Sequence, residues 1–262
     1  MTYFSLFSFL IRIPAIAILC IMVLLFTAGY IQPIGCDIGV YSGLTLSTLL
    51  PVKPQKLTQK ERANFVLSDD LRGILIGLIL GDLHICKPKL DKNPRLMFIQ
   101  GLIHKDYIDH LYDLFKSYCL TAPRTVNPSP DKRTGKVYSV VVFNSFSLPC
   151  FHEFLNLFYP EGKKIIPLNI GDLLTPSSLA YWLADDGTFS KLYSCVILCT
   201  NSYTLEEVNL LVKILNDKWD LKCTINKDGK GFRIRIPSKS LPVLQELLKD
   251  KMPSMMLHKI GL

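Results

Sequence analysis

The 262-residue chain is long enough to bury one large hydrophobic core or two smaller ones, and it carries a formal net charge of +8. Residues 1–50 contain only two charged side chains, Arg12 and Asp37, so the basic excess lies beyond them and favours a polyanionic partner, either nucleic acid or an anionic membrane surface. The eight cysteines include no C-x-x-C pair, which argues against structural zinc and against a disulfide framework.

An apolar segment lies at the start of the chain. Residues 4–28 form a run of about 25 residues, long enough to cross a bilayer, which Arg12 and Pro14 interrupt. Two interpretations stay open: an anchor that associates the N-terminal segment with a membrane, or a translated leader that is later removed. A secretory signal peptide is disfavoured, because no basic residue precedes the run. Residues 31–55 are rich in Gly, Pro, Ser and Thr, so residues 1–55 are predicted to be a hydrophobic leader and linker.

Two similar nine-residue apolar runs follow, each with aspartate as its eighth residue. The first, LIGLILGDL, contains Asp82, and the second, LAYWLADDG, contains Asp186, which lies 104 residues later. Both runs are predicted to be helices. Because burying a lone carboxylate is costly, each acid is expected to face water, a partner charge or a metal ion.

The segments after the two runs repeat in the same order, which indicates an internal duplication. Each run precedes an extended apolar piece, an amphipathic helix, a Gly-Lys-x-aromatic sequence that opens an alternating strand, and Ser-Leu-Pro before a closing helix. The paired pieces are RLMFIQ with SCVILCTNS, HKDYIDHLYDLFKSY with LEEVNLLVKILNDKW, and GKVYSVVVFNS with GKGFRIRIPS. The predicted division is a first repeat, residues 56–168, and a second repeat, residues 169–262.

The two special helices are expected to start and to pack alike. A polar N-cap precedes each one, and each carries small residues four apart that would let two helix backbones approach closely. These residues are Ser68 and Thr175 for the caps, and Gly77 with Gly81 and Ala180 with Ala184 for the packing surface. Pairing about a pseudo-two-fold axis would bring Asp82 and Asp186 side by side. Such paired carboxylates can hold divalent metal ions and position water against a phosphate.

The two runs resemble the signature of the LAGLIDADG homing endonucleases, specifically the single-chain, two-motif type encoded in organellar group I introns. The resemblance covers the chain from about residue 57 to residue 262, and LAYWLADDGTF and the closing MPSMMLHKIGL are especially similar to that family. It implies an α+β fold of two pseudo-symmetric αββαββα repeats that pack through their motif helices. Their curved antiparallel sheets would form a DNA-binding saddle in the major groove, and each motif acid would cut one strand.

The resemblance also implies the metal site. Asp82 and Asp186 are the expected catalytic, metal-binding acids, with Gly81 and Asp185 as further metal-contacting residues. Asp185 competes with Asp186 for this role, and Asp186 is preferred because it aligns with Asp82. The expected cofactor is a divalent metal ion: Mg²⁺ is preferred and Mn²⁺ is the alternative.

Around the attacking water, the family uses polar or basic side chains, and Gln100, Lys136 and Lys230 are the candidates by position. Both lysines also suit an ordinary place beside a turn glycine. The first motif departs from the family pattern at Leu80 and Leu83, so its helix is expected to end differently from the second.

DNA contacts are expected from strand faces and basic loops. Arg233 and Arg235 share one face of a strand, because alternate residues of a strand point the same way, and arginines can reach guanine edges or phosphates. The basic loop residues are expected to follow phosphates, so binding should weaken with salt. These loop residues are Lys87, Lys89, Lys92, Arg95, Lys132 and Arg133.

Two functions follow from the resemblance. The first is a site-specific endonuclease that hydrolyses both strands of a long asymmetric target and promotes intron mobility, acting as a monomer. The second is a maturase that binds its own intron RNA and assists splicing on the same scaffold. Either role implies an organellar location, and the mitochondrion is favoured over the plastid.

Overall fold

A computed structural model of the chain describes residues 57–87, 92–229 and 231–262. The predicted leader and linker, with the proposed membrane association, lie outside these residues, as do Lys89 and Lys230. Within the described ranges, no helix is both long enough and apolar enough to cross a membrane. The part of the chain from Pro54 onward forms one compact unit.

Each half of this unit has the order helix, two strands, helix, two strands, helix. The first half contains α2 (Asp69–Leu80), β1 (His84–Cys86), β2 (Arg95–Gly101), α3 (Lys105–Phe115), β3 (Arg124–Val126), β4 (Val140–Asn144) and α4 (His152–Phe158), preceded by the short helix α1 (Gln59–Ala63). The second half contains α6 (Pro176–Asp186), β5 (Gly187–Ser190), β6 (Cys195–Cys199), α7 (Leu205–Trp219), β7 (Thr224–Asp228), β8 (Gly231–Ile236) and α8 (Leu241–Leu248), preceded by α5 (Ile170–Leu173). The predicted αββαββα repeat is confirmed in both halves.

Each half contributes one four-stranded antiparallel sheet. The strand orders are β1-β2-β4-β3 and β5-β6-β8-β7, so the two sheets have the same topology. One face of each sheet is buried: Leu96 and Phe98 in the first sheet and Ile234 and Ile236 in the second are nearly inaccessible. The alternation predicted for the strand that holds Arg233 and Arg235 is therefore present.

The motif helices α2 and α6 pack against each other at the centre of the described residues. Each begins at the predicted cap: the Ser68 hydroxyl accepts the Leu71 N–H, and the Thr175 hydroxyl accepts the Ser178 N–H. The backbones touch at Gly77, where an added Cβ would lie only 2.1 Å from the Ser178 carbonyl oxygen.

The facing residues on α6 differ from the predicted alanines. The atoms nearest to Gly77 and Gly81 belong to Ser178 and Asp185 instead of Ala180 and Ala184. The two helices also end differently, as expected from the departures in the first motif. Helix α2 ends at Leu80, two residues before its acid, whereas α6 runs through Asp186.

Candidate active site

The two motif acids lie where the paired helices end. Asp82 sits in the turn after α2, and Asp186 is the last residue of α6. The helix ends are joined directly, because the backbone N–H of Asp82 donates to Asp185 Oδ2 over 3.1 Å. An added Cβ at Gly81 would lie 2.6 Å from Asp185 Cβ, so glycine is required for this approach.

The local electrostatics are those of crowded carboxylates. Burial, followed by the charge of Asp82, raises the pKa of Asp186 to about 6, while Lys164 and Lys259 act to lower it. Burial and Asp82 likewise raise the pKa of Asp185 to about 8, against the hydrogen bonds that Asp82 and Tyr107 donate. A site that disfavours its own negative charges in this way favours a bound cation.

Two lysines that the sequence interpretation missed complete the site. Lys164 Nζ donates to the carbonyl oxygens of Gly81, at 2.7 Å, and of Leu80, at 3.2 Å. Lys259 Nζ donates to the Asp185 carbonyl oxygen at 2.9 Å. Each lysine thus binds the carbonyl of the residue just before a motif acid, so the two halves repeat the arrangement. Burial lowers the pKa of both lysines, and the three nearby aspartates oppose this shift.

The duplicated sequence contains a signal for these lysines. Both are followed by isoleucine, in KKII and HKIG, and they lie 95 residues apart. That spacing is close to the 94 residues between Lys136 and Lys230, the pair that was predicted instead. Lys136 lies exposed in the hairpin between β3 and β4, where its backbone N–H bonds to Thr134 Oγ1.

Gln100 reaches the site as predicted by position. Its Nε2 donates to Asp82 Oδ2 at 3.3 Å. The equivalent residue of the second half is Thr200, whose hydroxyl donates to the Phe232 carbonyl over 2.7 Å. The surroundings of the two acids therefore differ.

Two tyrosines fix the backbone and Asp185. Tyr203 donates to the Leu80 carbonyl over 2.7 Å, and Tyr107 donates to Asp185 Oδ1 over 2.8 Å.

A cavity of about 10 Å³, close to the smallest that holds one water, is lined in part by Asp82, Gln100 and Asp185.

The donor set suits a hard divalent cation. Each half offers one carboxylate, from Asp82 or Asp186, and the carbonyl oxygen of the preceding residue, Gly81 or Asp185. Within the described residues, no group of three or more His, Cys, Asp or Glu has a metal-binding arrangement. At phosphoryl-transfer sites, Mg²⁺ is usually bound by only a few protein oxygens, and its other coordination positions are left to water and phosphate.

The predicted DNA-contacting residues lie away from the packed core. Lys87 and Lys92 are exposed next to β1 and β2, and Lys132 and Arg133 are exposed in the β3–β4 hairpin. Arg95 Nε donates to Cys86 Sγ on the neighbouring strand at 3.4 Å. Arg233 and Arg235 lie on the partly exposed face of β8.

The sequence matches the LAGLIDADG DNA endonuclease family over residues 72–244. The homing endonuclease I-WcaI, solved bound to its DNA recognition sequence, has a TM-score of 0.73 at 28% identity, covering 81% of this chain and 96% of that chain. Cytochrome b mRNA maturase bI2 of Debaryomyces hansenii is 30% identical over 76% of each sequence. DNA endonuclease I-ChuI of Chlamydomonas applanata is 27% identical over 74% of this chain and 96% of its own length.

The fold and the paired acids thus define a two-motif endonuclease of the DNA-cleaving, divalent-metal-dependent kind. The chain belongs to the LAGLIDADG DNA endonuclease family.

Proposed function

We propose that this chain is a site-specific homing endonuclease in which Asp82 and Asp186 are the catalytic, metal-binding acids. The observation that carries the proposal is the duplicated arrangement at the helix ends: an acid, the carbonyl of the residue before it, and a lysine bonded to that carbonyl. A structural carboxylate needs no such repetition, whereas cutting two DNA strands needs two equivalent sites.

The four oxygen-bearing residues would hold the metal ions. Carboxylate oxygens of Asp82 and Asp186, with the carbonyl oxygens of Gly81 and Asp185, are hard donors that suit Mg²⁺, and Mn²⁺ is the alternative. A bound divalent ion supplies a Lewis acid for the phosphate and lowers the pKa of water.

The neighbouring side chains have positioning and electrostatic roles. We assign to Lys164 and Lys259 the stabilisation of negative charge that develops on the phosphate, because their ammonium groups lie beside the acids. Gln100 orients the Asp82 carboxylate through its hydrogen bond. In this assignment Lys164 and Lys259 take the role that the sequence interpretation gave to Lys136 and Lys230; Lys136 lies in the β3–β4 hairpin, and Lys230, which is outside the described residues, stays a prediction.

The partner is duplex DNA, read by the partly exposed sheet faces. The DNA complex of I-WcaI, which shares this fold, supports DNA as the partner. Both motifs reside in one chain, so a monomer suffices to cut both strands of an asymmetric target. The yeast maturase relative supports an intron-encoded origin in the mitochondrion.

A second function, RNA-binding maturase, is favoured by one observation. The D. hansenii relative is named a cytochrome b mRNA maturase, and it is 30% identical to this chain. The maturase proposal needs binding of the host intron RNA, and it does not need the two acids.

The deciding experiment is cleavage by the purified full-length chain of a DNA that spans the uninterrupted insertion site, with Mg²⁺. The parent protein is expected to cut both strands, and Asp82→Asn and Asp186→Asn are expected to bind this DNA but to lose double-strand cutting. Asp70→Asn, at the opposite end of α2, is the matched control and should cut normally. A parent that binds without cutting, or that binds the intron RNA more tightly than the DNA, would favour the maturase.

A further inference from the structure

The two sheets present chemically different faces on the side away from the helices. In the first sheet this face contains Met97, Ile99, Val140, Val142 and Asn144, all partly or largely exposed, with Arg95 at the start of β2 and Arg124 on the edge strand β3, and we name it the first face. In the second sheet the corresponding surface contains Ile197, Cys199, Arg233 and Arg235, and we name it the second face.

The strand register makes the comparison residue by residue. Ile99 pairs with Val142, which pairs with Arg124, whereas Cys199 pairs with Arg233, which pairs with Asn226. Val142 and Arg233 therefore occupy the same place in the two sheets.

One row further along, the same register equates two more residues. Met97 pairs with Asn144, and Ile197 pairs with Arg235. At both central positions, the second half thus has arginine where the first half has a residue without charge.

The centre of the first face, at Met97, Ile99, Val140 and Val142, is apolar although the protein does not cover it. The opposite side of its strands supplies the core, with Leu96, Phe98, Val141 and Phe143 nearly inaccessible, yet Ile99 remains 48% exposed. An apolar sheet face of this kind favours a partner that removes it from water. Ile99 lines the same small cavity as Asp82, so the first face continues from the candidate active site.

The guanidinium of Arg233 is already oriented on the second face. Its Nη2 lies 2.6 Å from Asp228 Oδ2, and the same carboxylate oxygen accepts from Asn201 Nδ2 at 2.9 Å. A fixed guanidinium loses less freedom when it binds than a mobile one.

Aliphatic side chains and arginine prefer different base edges in the major groove. Aliphatic side chains make no hydrogen bonds, and the C5-methyl group of thymine offers them an apolar contact in the major groove. Arginine instead donates two hydrogen bonds to guanine O6 and N7.

We propose that the two halves of the DNA target differ in base composition. The half-site against the first face is rich in A·T pairs opposite the apolar centre of that face, with thymine methyl groups next to Ile99 and Val142. The half-site against the second face contains guanines opposite Arg233 and Arg235. This inference rests on the proposed DNA-binding function and adds the sequence class that each half reads.

The test is selection of bound duplexes from randomised DNA by the full-length chain in EDTA, so that recovery does not depend on cutting. The expected consensus has one A·T-rich half and one half with fixed guanines. Val142→Arg should shift the first half towards guanine, and Arg233→Val should remove a guanine preference from the second half, each by about 10-fold. Lys249→Ala, at the residue that follows helix α8, is the control and should leave both halves unchanged.

Several outcomes would overturn the inference. These are equal composition in the two halves, a preference that neither substitution moves, or no DNA binding by the parent. Arg233→Val gives an independent reading if Val142→Arg does not fold. A two-part consensus from a protein that fails to cut with Mg²⁺ would support the inference while refuting the endonuclease proposal, so the two failures are distinguishable.

Discussion

The backbone N–H of Asp82 donates a hydrogen bond to the carboxylate of Asp185, with 3.1 Å between Asp82 N and Asp185 Oδ2. The other oxygen of Asp185 accepts from the Tyr107 hydroxyl. Asp185 belongs to the second half, whereas Asp82 and Tyr107 belong to the first. One side chain therefore joins the two halves directly beside Asp82, the proposed catalytic acid of the first motif.

Removing that side chain should weaken the joint. Asp185→Ala leaves two donors without their acceptor, and we expect it to lower the free energy of unfolding by about 1–3 kcal/mol. Asp185→Asn keeps an acceptor for the Asp82 N–H and can donate to the Tyr107 oxygen, so it should retain most of the stability. Urea denaturation at pH 6 measures the free energy of unfolding of both variants. Equal stability of Asp185→Ala and the parent would refute this role.

The stability of the metal-free protein should fall as the pH rises from about 5 to 8. The folded-state pKa values, about 8 for Asp185 and about 6 for Asp186, lie above the ordinary value of an unfolded aspartate, about 4. The folded chain therefore binds these protons more tightly, and folding loses that advantage as the pH rises through this window.

Asp185→Asn isolates this effect. The variant should lose less stability than the parent between pH 5 and pH 8 in EDTA, as measured by thermal unfolding. Burial lowers the pKa of His110, which acts in the opposite direction, so the difference between variant and parent is the informative quantity. Identical pH profiles would contradict the prediction.

Local signals in the sequence determined much of this fold. The caps Ser68 and Thr175 were predictable because Ser and Thr satisfy free N–H groups at helix starts, and α7 coincides with the periodic run Leu205–Trp219. Strands β1 and β3 have only three residues each, too few for alternation to mark them.

The residues of the candidate site likewise divide into those that the sequence indicated and those that only the three-dimensional structure brings to the acids. Asp82 and Asp186 could be singled out from the sequence because the duplication aligns them within similar local sequences. Lys164 lies in a loop and Lys259 in the 3-10 helix Ser254–Ile260, both distant in sequence from the residues they contact, so their partners depend on the path of the chain in three dimensions. The contact of Asp185 with Asp82 likewise requires the two helix ends to meet.

The contact between the motif helices should tolerate no side chain at Gly77. Gly77→Ala places a Cβ 2.1 Å from the Ser178 carbonyl oxygen, so the helices must separate, and we expect a loss of about 3 kcal/mol or more in urea denaturation. Gly171→Ala is the matched control, because its Cβ would meet Ile214 at an ordinary 3.5 Å. Similar losses for the two variants would show that close approach at Gly77 is not the cause.

The two buried lysines should act on cleavage more than on DNA binding. Lys164→Met and Lys259→Met keep much of the side-chain volume but remove the charge beside each acid, and we expect cleavage rates to fall about 100-fold or more. Gel-shift affinity should change little. Lys136→Met tests the alternative assignment and should cut normally, whereas a larger loss from Lys136→Met than from Lys164→Met would restore Lys136 as the catalytic lysine.

The β3–β4 hairpin should contact phosphates without reading bases. Asp131 Oδ1 accepts the backbone N–H groups of Arg133 and Thr134, at 2.9 and 2.8 Å, so the turn is ordered and presents Lys132 and Arg133 to solvent. Replacing both basic residues with alanine should weaken binding equally for matched and mismatched DNA.

The salt dependence of that double variant is the sharper measurement. Each phosphate contact contributes about 0.9 to the slope of log K against log salt, so losing two contacts should reduce the slope by about 2. Lys249→Ala removes a charge that follows helix α8 and pairs with Glu246, and it should leave the slope unchanged. An unaltered slope in the double variant would place the hairpin outside the DNA interface. A loss of affinity restricted to certain sequences would instead assign it to base recognition, because a phosphate contact carries no sequence information.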